Sequence, residues 1–216
     1  MWLAVVVIVL TGYLLGNLNG SVMISMMQKD DVRNHGSGNG GLTNFVRNFG
    51  YGKALGVIAV DLGKAVLACL VGRLILESAG YGVEGAMLGG VAVSLGHDFP
   101  VLFGFRGGKG ILSGLGIAAA VDYRCALLII AVFVLTVALT RYVSLGSILA
   151  AASLGIFFGV MYLDHPWVMA GGIFMAVLAI FLHRVALQMP RSGRGPEHSF
   201  ASYGRDGLRR GGGGRG

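Results

Sequence analysis

Charged side chains are scarce in this chain: Asp, Glu, Lys and Arg make up 12% of its 216 residues, against 55% hydrophobic residues. The mean hydropathy of +0.74 excludes an ordinary soluble domain, whose surface must be largely polar. A helix needs roughly 20 apolar residues to cross a bilayer, and several runs in the sequence approach that length. The composition therefore predicts an integral membrane protein of the all-α, polytopic class.

Cysteine is nearly absent as well, with only Cys69 and Cys125, and both lie in apolar runs. This placement predicts two buried thiols and argues against a disulfide or a metal site. The N-terminal run from Trp2 to Leu10 lacks the charged segment that opens a signal peptide, and the apolar pattern continues to Met27. We therefore expect a first helix that is retained.

Seven segments are candidate spans, and the sequence predicts about seven transmembrane helices: 2–27, 52–76, 83–100, 109–122, 124–141, 145–163 and 167–187. Seven spans put all but three of the 17 Lys and Arg residues on one side, the exceptions being Lys64, Arg73 and Arg124. The positive-inside rule places that basic side in the cytoplasm. The pattern predicts an outside N-terminus, a cytoplasmic C-terminus, and glycine-rich cytoplasmic loops with short interfacial helices.

The segment 190–216 differs from the transmembrane domain at 1–189, because it is rich in Gly and Arg with almost no apolar residues. That composition predicts a disordered cytoplasmic tail. Its charge favours contact with anionic lipid, or simply a solvated tail that sets topology. No stacking aromatics accompany it, so we expect no specific nucleic-acid partner.

The first polar cluster is Asp31–Asn48, which contains HGSGNGG. Its GxGxxG spacing does not indicate a dinucleotide site, because that fingerprint requires a strand before it. We read residues 43–49 as a short interfacial helix with its polar side chains on one face. The residues that could converge on an anion are Ser37, Gly38, Asn39, Thr43, Asn44 and Arg47.

The second polar cluster, SLGHDFPVLFGFRGGKG at 94–110, sets cations on flexible backbone at the end of an apolar segment. It is not a P-loop, because Phe103 replaces the first glycine and Gly110 replaces the Ser or Thr that would hold Mg²⁺. Glycine-rich backbone beside cations suits a phosphate. The candidate residues here are His97, Arg106, Gly107, Gly108 and Lys109. The alternative is that both loops are ordinary cytoplasmic loops whose charges only fix topology.

Two further polar groups lie in or near the spans. Asp61 and Lys64 are three residues apart in the second span, where lone charges are costly. They form either a self-contained structural pair or the wall of a polar pocket. Ser144, in the patch TRYVSLGS, and His183, at the end of the last span, lie on the same predicted face as the two loops.

Together these motifs resemble the PlsY family of bacterial membrane acyl-phosphate:glycerol-3-phosphate acyltransferases. That family's first loop reads roughly GSGNxGxTNxxR, which matches Gly36 to Arg47. Its second reads roughly GHxFPxFxxFxGGKG, and here Gly96-His97-Asp98-Phe99-Pro100 runs on to Phe105-Arg106-Gly107-Gly108-Lys109-Gly110. The Asp61 and Lys64 pair also fits. The likeness extends from about residue 12 to residue 187, with the motifs in the family's order.

The resemblance implies a seven-helix bundle in the bacterial inner membrane that acylates the 1-hydroxyl of sn-glycerol 3-phosphate from acyl phosphate, giving lysophosphatidic acid and phosphate. It implies no cofactor, no metal and no acyl-CoA. Catalytic roles fall to Ser37, Arg47, Lys109 and His183, with the other loop residues and Ser144 binding substrate. Lys109 and Arg106, with the amides of Gly107 and Gly108, would hold one phosphate, and Ser37 with Arg47 the other. His183, His97 or a phosphate oxygen would remove the hydroxyl proton.

The chain departs from the family pattern at three places. Asn17-Leu18-Asn19 stands where the family usually has Ser-x-Pro, Gly40 and Leu42 stand where an apolar and a small residue are usual, and Ala186 stands where it has an active-site Asn. Two rival hypotheses follow: a weakened paralogue that binds phosphate-bearing lipid precursors, and a small anion transporter with broken helices.

Overall fold

The computed structural model describes the backbone of residues 1–188 and the side chains of residues 1–183. This part of the chain is helical and contains no strand. Nine α-helices follow one another: α1 (Trp2–Gly16), α2 (Gly20–Met26), α3 (Leu42–Phe49), α4 (Ala54–Glu77), α5 (Gly82–Asp98), α6 (Ile111–Val121), α7 (Tyr123–Thr140), α8 (Val143–Met161) and α9 (Pro166–Gln188). The predicted tail at 190–216 lies outside the described residues.

Five helices, α4, α5, α7, α8 and α9, are long and apolar enough to cross a bilayer. The first predicted span is interrupted: α1 and α2 are bent by 44° at the break, and the pair counts as a sixth candidate span if both helices cross the bilayer together. The segment predicted at 109–122 forms only the 11-residue α6, which is about 16 Å long, against a hydrocarbon thickness of about 30 Å. The all-α membrane class is confirmed, and the count of seven remains a prediction.

Small residues allow the spans to approach closely. A Cβ at Gly72 of α4 would overlap the carbonyl of Gly85 in α5, and one at Gly16 of α1 would overlap the carbonyl of Val93. Close packing of this kind is a main source of helix association in lipid. Cys69 and Cys125 lie in the resulting core as buried free thiols, as predicted.

The break between α1 and α2 is shaped by two buried asparagines. Asn19 begins α2, because its side-chain oxygen accepts a hydrogen bond from the Val22 N–H at 3.1 Å. Asn17 donates to the carbonyl of Tyr13 at 2.8 Å and accepts from the N–H of Leu102 at 3.0 Å. Asn17 therefore ties the break to the segment that follows α5.

Both glycine-rich segments lie at the same end of the bundle, beside the end of α9. We call this the loop end. The short helix α3 packs there through Phe45, which is fully buried with Val22, Val32 and Val57 in a small separate core. The prediction of a short helix at 43–49 is confirmed by α3. Its packing fixes the polar loop that precedes it.

Candidate active site

The first glycine loop, residues 35–41, is held from within by Asn44. The amide nitrogen of this buried side chain lies 2.9 Å from the carbonyl of Val32, 3.0 Å from that of His35 and 2.9 Å from that of Asn39. Its oxygen accepts the N–H of Ser37 at 3.2 Å. Asn44 therefore holds the loop together through hydrogen bonds to its backbone. The sequence had instead suggested that the Asn44 side chain faces the substrate.

Two glycines with left-handed backbone flank Ser37 in this loop. Gly36 has φ of +54° and Gly38 has φ of +68°, and these values disfavour any residue with a Cβ. A Cβ at Gly36 would also overlap the Asn44 side-chain oxygen. The result is a tight turn that leaves Ser37 exposed, and Thr43 in the first turn of α3 is exposed as well.

The second glycine loop, residues 104–110, is joined directly to the first. The carbonyl of Gly107 accepts the N–H of Gly40 at 3.0 Å and the side-chain amide of Asn39 at 3.4 Å. The two motifs that the sequence identified separately therefore form one continuous structure. A ligand that binds one loop lies within reach of the other.

His97 lies beneath the second glycine loop and is only 3% exposed. Its carbonyl accepts the N–H of Gly108 at 3.0 Å, and a Cβ at Gly108 would overlap its ring. The Gly108 N–H, which the sequence assigned to a phosphate, is thus engaged within the protein. The hydrogen bond to the His97 carbonyl and the packing of Gly108 on the His97 ring together hold the loop in place.

Lys109 and Arg47 bring two cations together at the junction of the loops. Burial and the positive charge of Arg47 hold the pKa of the Lys109 ammonium below its usual range. Lys109 is also close enough to His183 for its positive charge to act on the His183 ring. Arg106, by contrast, is exposed, and its carbonyl accepts a hydrogen bond from the Arg33 guanidinium at 3.3 Å. A bound anion between Lys109 and Arg47 would relieve their mutual repulsion.

His183 ends the apolar part of α9 and is 6% exposed. Its Nδ1 lies 2.8 Å from the carbonyl of Ala179. A carbonyl can only accept, so Nδ1 carries the proton in the neutral ring and Nε2 carries the lone pair. This tautomer is the one that a general base requires. Ser144 is half-buried in the first turn of α8.

Asp61 and Lys64 bridge the break in the first span. The Lys64 ammonium lies 3.2 Å from the carbonyl of Gly16 and 2.8 Å from that of Leu18, while Asp61 accepts the N–H of Gly20 at 3.2 Å. The two side chains are 2.9 Å apart. The cation thus meets carbonyls at the end of α1 and the anion meets the start of α2, as helix dipoles favour. The sequence identified the pair but not its contacts with the break, because the residues of the break are far from Asp61 and Lys64 along the chain.

An apolar pocket runs from the second glycine loop into the bundle, between α5, α6, α7, α8 and α9. It begins at Gly110, directly after Lys109, and reaches Ala179, whose carbonyl holds His183. Its lining is mostly aliphatic: Ser94, Gly110, Ile111, Gly114, Leu115, Ile129, Ala150, Ala151, Leu154, Met175, Ala176 and Ala179. The cavity itself has a volume of about 20 Å³, enough for about one water molecule, so these side chains form an apolar surface next to the loop.

Comparison with known proteins gives one consistent result. The family model described as glycerol-3-phosphate acyltransferase matches residues 6–193. A glycerol-3-phosphate acyltransferase of Thermoanaerobacter pseudethanolicus is 38% identical over 173 residues, covering 80% of this chain and 84% of the relative. Glycerol-3-phosphate acyltransferase 1 of Deinococcus radiodurans is 36% identical over 197 residues, covering 89% and 95%.

Two solved structures are also similar. The crystal structure of PlsY, an integral membrane glycerol 3-phosphate acyltransferase, in its glycerol 3-phosphate form has a TM-score of 0.76 and 32% identity. It covers 85% of this chain and 90% of that one. The lysophosphatidic acid form of PlsY has a TM-score of 0.73 and 31% identity, with coverage of 85% and 89%.

Proposed function

The chain belongs to the glycerol-3-phosphate acyltransferase family, and we propose that it takes its acyl group from an acyl phosphate and transfers it to the 1-hydroxyl of sn-glycerol 3-phosphate. The protein is an integral membrane enzyme of the acyltransferase class. The products of the proposed reaction are lysophosphatidic acid and inorganic phosphate.

One observation carries this proposal: the hydrogen bond of 3.0 Å between the Gly40 N–H and the Gly107 carbonyl. It joins the two anion-binding motifs into one site, and both proposed substrates carry a phosphate. Lys109 and Arg47 hold one phosphate at the junction, where their charges already interact. Ser37, exposed at the turn of the first loop, is placed to bind a phosphate or hydroxyl of the second substrate.

The apolar residues beside the loops give the proposed acyl chain a surface to pack against. With the phosphate of the donor at Lys109, we place the start of the chain at Gly110, against apolar side chains of α8 and α9. The acyl carbonyl then lies between the cations and His183. Holding both reactants in this way replaces a bimolecular encounter by an oriented one, which is worth up to several orders of magnitude in rate.

The transfer itself needs one base and one leaving group. The 1-hydroxyl oxygen attacks the acyl carbonyl carbon, and the hydroxyl proton passes to Nε2 of His183, because Nδ1 already carries the proton of the neutral ring. The bond from the carbonyl carbon to the phosphate oxygen breaks, and the electron pair leaves on phosphate beside Lys109 and Arg47. His97 is poorly suited to be the base, because its Nδ1 accepts a hydrogen bond from Lys64 at 2.7 Å.

We place the loop end in the cytoplasm of a bacterial cell, where water-soluble glycerol 3-phosphate is available. The support is the concentration of Lys and Arg on that side of the spans. The C-terminal tail, which lies outside the described residues, would then share that side and face anionic lipid.

The cation pair provides the test of this assignment. We expect Lys109→Ala and Arg47→Ala each to lower turnover of purified protein with acyl phosphate and labelled glycerol 3-phosphate at least tenfold. Each substitution removes a positive side chain that stabilises the negative charge on the leaving phosphate. Lys53→Ala is the matched control, since Lys53 is exposed at the start of α4. Near-normal turnover in both site variants would overturn the proposal.

A further inference from the structure

Lys64 is a buried hub whose contacts reach beyond the helix break. Its ammonium group, with a side chain 2% exposed, lies within 3.2 Å of four acceptors: the Asp61 carboxylate, the carbonyls of Gly16 and Leu18, and Nδ1 of His97 at 2.7 Å. An ammonium group can only donate hydrogen bonds. Nδ1 of His97 therefore accepts, and the proton of the neutral ring is assigned to Nε2.

The ring that Lys64 fixes is the surface on which the second glycine loop rests. A Cβ built at Gly108 would meet three atoms of the His97 ring first, among them Cε1 at 2.8 Å and Cδ2 at 2.9 Å. The backbone is tied at the same point, because the Gly108 N–H donates to the His97 carbonyl at 3.0 Å. Gly108 directly precedes Lys109, so rotation of the ring changes where the Lys109 side chain begins.

From these contacts we propose that Lys64 and His97 are positioning residues for the phosphate site. Lys64 sets the orientation of the His97 ring, and the ring sets the position of the Gly107–Lys109 backbone that rests on it. The proposal rests on the proposed function in one respect, namely that Lys109 binds a substrate phosphate. Neither residue is required to touch substrate.

Stability alone is a poor explanation for this arrangement. A buried ion pair is often no more stabilising than apolar residues of similar volume, and a charge inside a membrane span is costly. An apolar side chain at 64 would fill the space without holding a ring in one orientation. A directional contact to Nδ1 supplies the orientation that the loop needs.

The first test replaces Lys64 by an apolar residue of similar length. For Lys64→Met we expect the inhibition constant of inorganic phosphate and the KM for glycerol 3-phosphate to rise at least tenfold in protein that still melts cooperatively. Lys53→Met, the matched loss of an exposed lysine, leaves both constants unchanged. A Lys64→Met protein with a lower melting temperature but unchanged phosphate inhibition and KM would show a purely structural role and overturn the proposal.

The second test uses the steric contact between the ring and the loop. Gly108→Ala alone forces its new methyl group against the ring, and we expect binding of inorganic phosphate, measured by calorimetry, to weaken at least tenfold. In a His97→Ala background the ring is gone, so adding Gly108→Ala should weaken binding less than threefold further. An equal loss in both backgrounds would mean that the ring does not set the loop, and would overturn the proposal.

The two readouts keep this proposal separate from the proposed function. Phosphate binding reports the loop geometry whether or not acyl transfer occurs. If the effect of Gly108→Ala on phosphate binding depends on the His97 ring as expected, but wild-type protein transfers no acyl group from acyl phosphate, the proposed donor is refuted and the positioning pair is retained. If wild-type protein transfers the acyl group, but the effect of Gly108→Ala is the same with and without the ring, the pair alone is refuted.

Discussion

Substitution of Gly107 by alanine tests most sharply whether the geometry of the joined loops makes the site. A Cβ at this position would overlap the carbonyl oxygen of His97 and would lie 2.6 Å from Cδ of Pro100 and 2.7 Å from the carbonyl oxygen of Asp98. Ordinary contacts of a Cβ begin at 3.4 Å. Two of the three obstacles are backbone atoms, so the loop itself has to move, by roughly 1 Å.

The size of the effect follows from that displacement. A misplacement of about 1 Å in a positioned group can cost about 10²-fold in rate, which corresponds to about 3 kcal/mol of transition-state stabilisation. The displacement also strains the hydrogen bond from the Gly40 N–H to the Gly107 carbonyl, which joins the two loops. We therefore expect kcat/KM of Gly107→Ala for glycerol 3-phosphate to fall about 100-fold.

The assay is initial-rate formation of lysophosphatidic acid by purified protein in liposomes, with the melting temperature measured on the same preparation. Gly63→Ala is the matched control, because Gly63 lies in α4 and a Cβ there meets nothing within 4 Å. That control should keep full activity. A Gly107→Ala enzyme with kcat/KM within threefold of wild type would refute the inference that the loop geometry forms the site.

Three further predictions concern the neighbourhood of the loops. Ala186→Asn introduces the residue that the resemblance to the family implies three positions after His183 on α9, and one added hydrogen bond of about 1 kcal/mol should raise kcat/KM about fivefold; an unchanged kcat/KM would show that activity does not lack this hydrogen bond. Gly114→Leu adds bulk beside Leu154, whose Cδ1 would already lie 3.9 Å from a Cβ at this position, and should lower turnover of long-chain donors more than that of short-chain donors; an equal effect on both would place the acyl chain elsewhere. Burial and the charge of Arg47 hold the pKa of Lys109 below its usual range, and activity should fall as the pH rises through that pKa because the ammonium group then loses its charge. Arg47→Gln should shift this alkaline limb to higher pH, and an unmoved limb in the pH profile would contradict the pairing.

The sequence predicted much of the site because its motifs are local. Glycines beside fixed cations, as in the run from Arg106 to Lys109, indicate anion binding without any knowledge of the fold. Helical runs such as α4 and α8 follow from their apolar length. The common face of the two loops followed from counting spans and basic residues, and the structure brings both loops to one end.

The contacts that organise the site could not be predicted in the same way. Lys64 and His97 are 33 residues apart, and no pattern in a single sequence links them. Asn44 was assigned to the substrate face because polar residues on an interfacial helix normally turn toward water. The tight turn at Gly36 instead needs an internal hydrogen-bonding partner, and Asn44 supplies it.

Two of the predicted spans differ in extent from the helices of the structure for a related reason. Apolar composition continues through residues 109–122, but the glycine loop uses the first positions of that segment and leaves α6 with 11 residues. The first span was also expected to be continuous. Its break at Asn17–Asn19 depends on Asp61 and Lys64 of another helix, which a local reading does not include.

The most direct test of the central claim is a donor comparison with the wild-type protein in liposomes, using labelled glycerol 3-phosphate with either acyl phosphate or acyl-CoA. The account predicts labelled lysophosphatidic acid, with inorganic phosphate released in equal amount, from acyl phosphate only, and loss of that product in Lys109→Ala. Product formed from acyl-CoA, or none formed from acyl phosphate by folded protein, would contradict it.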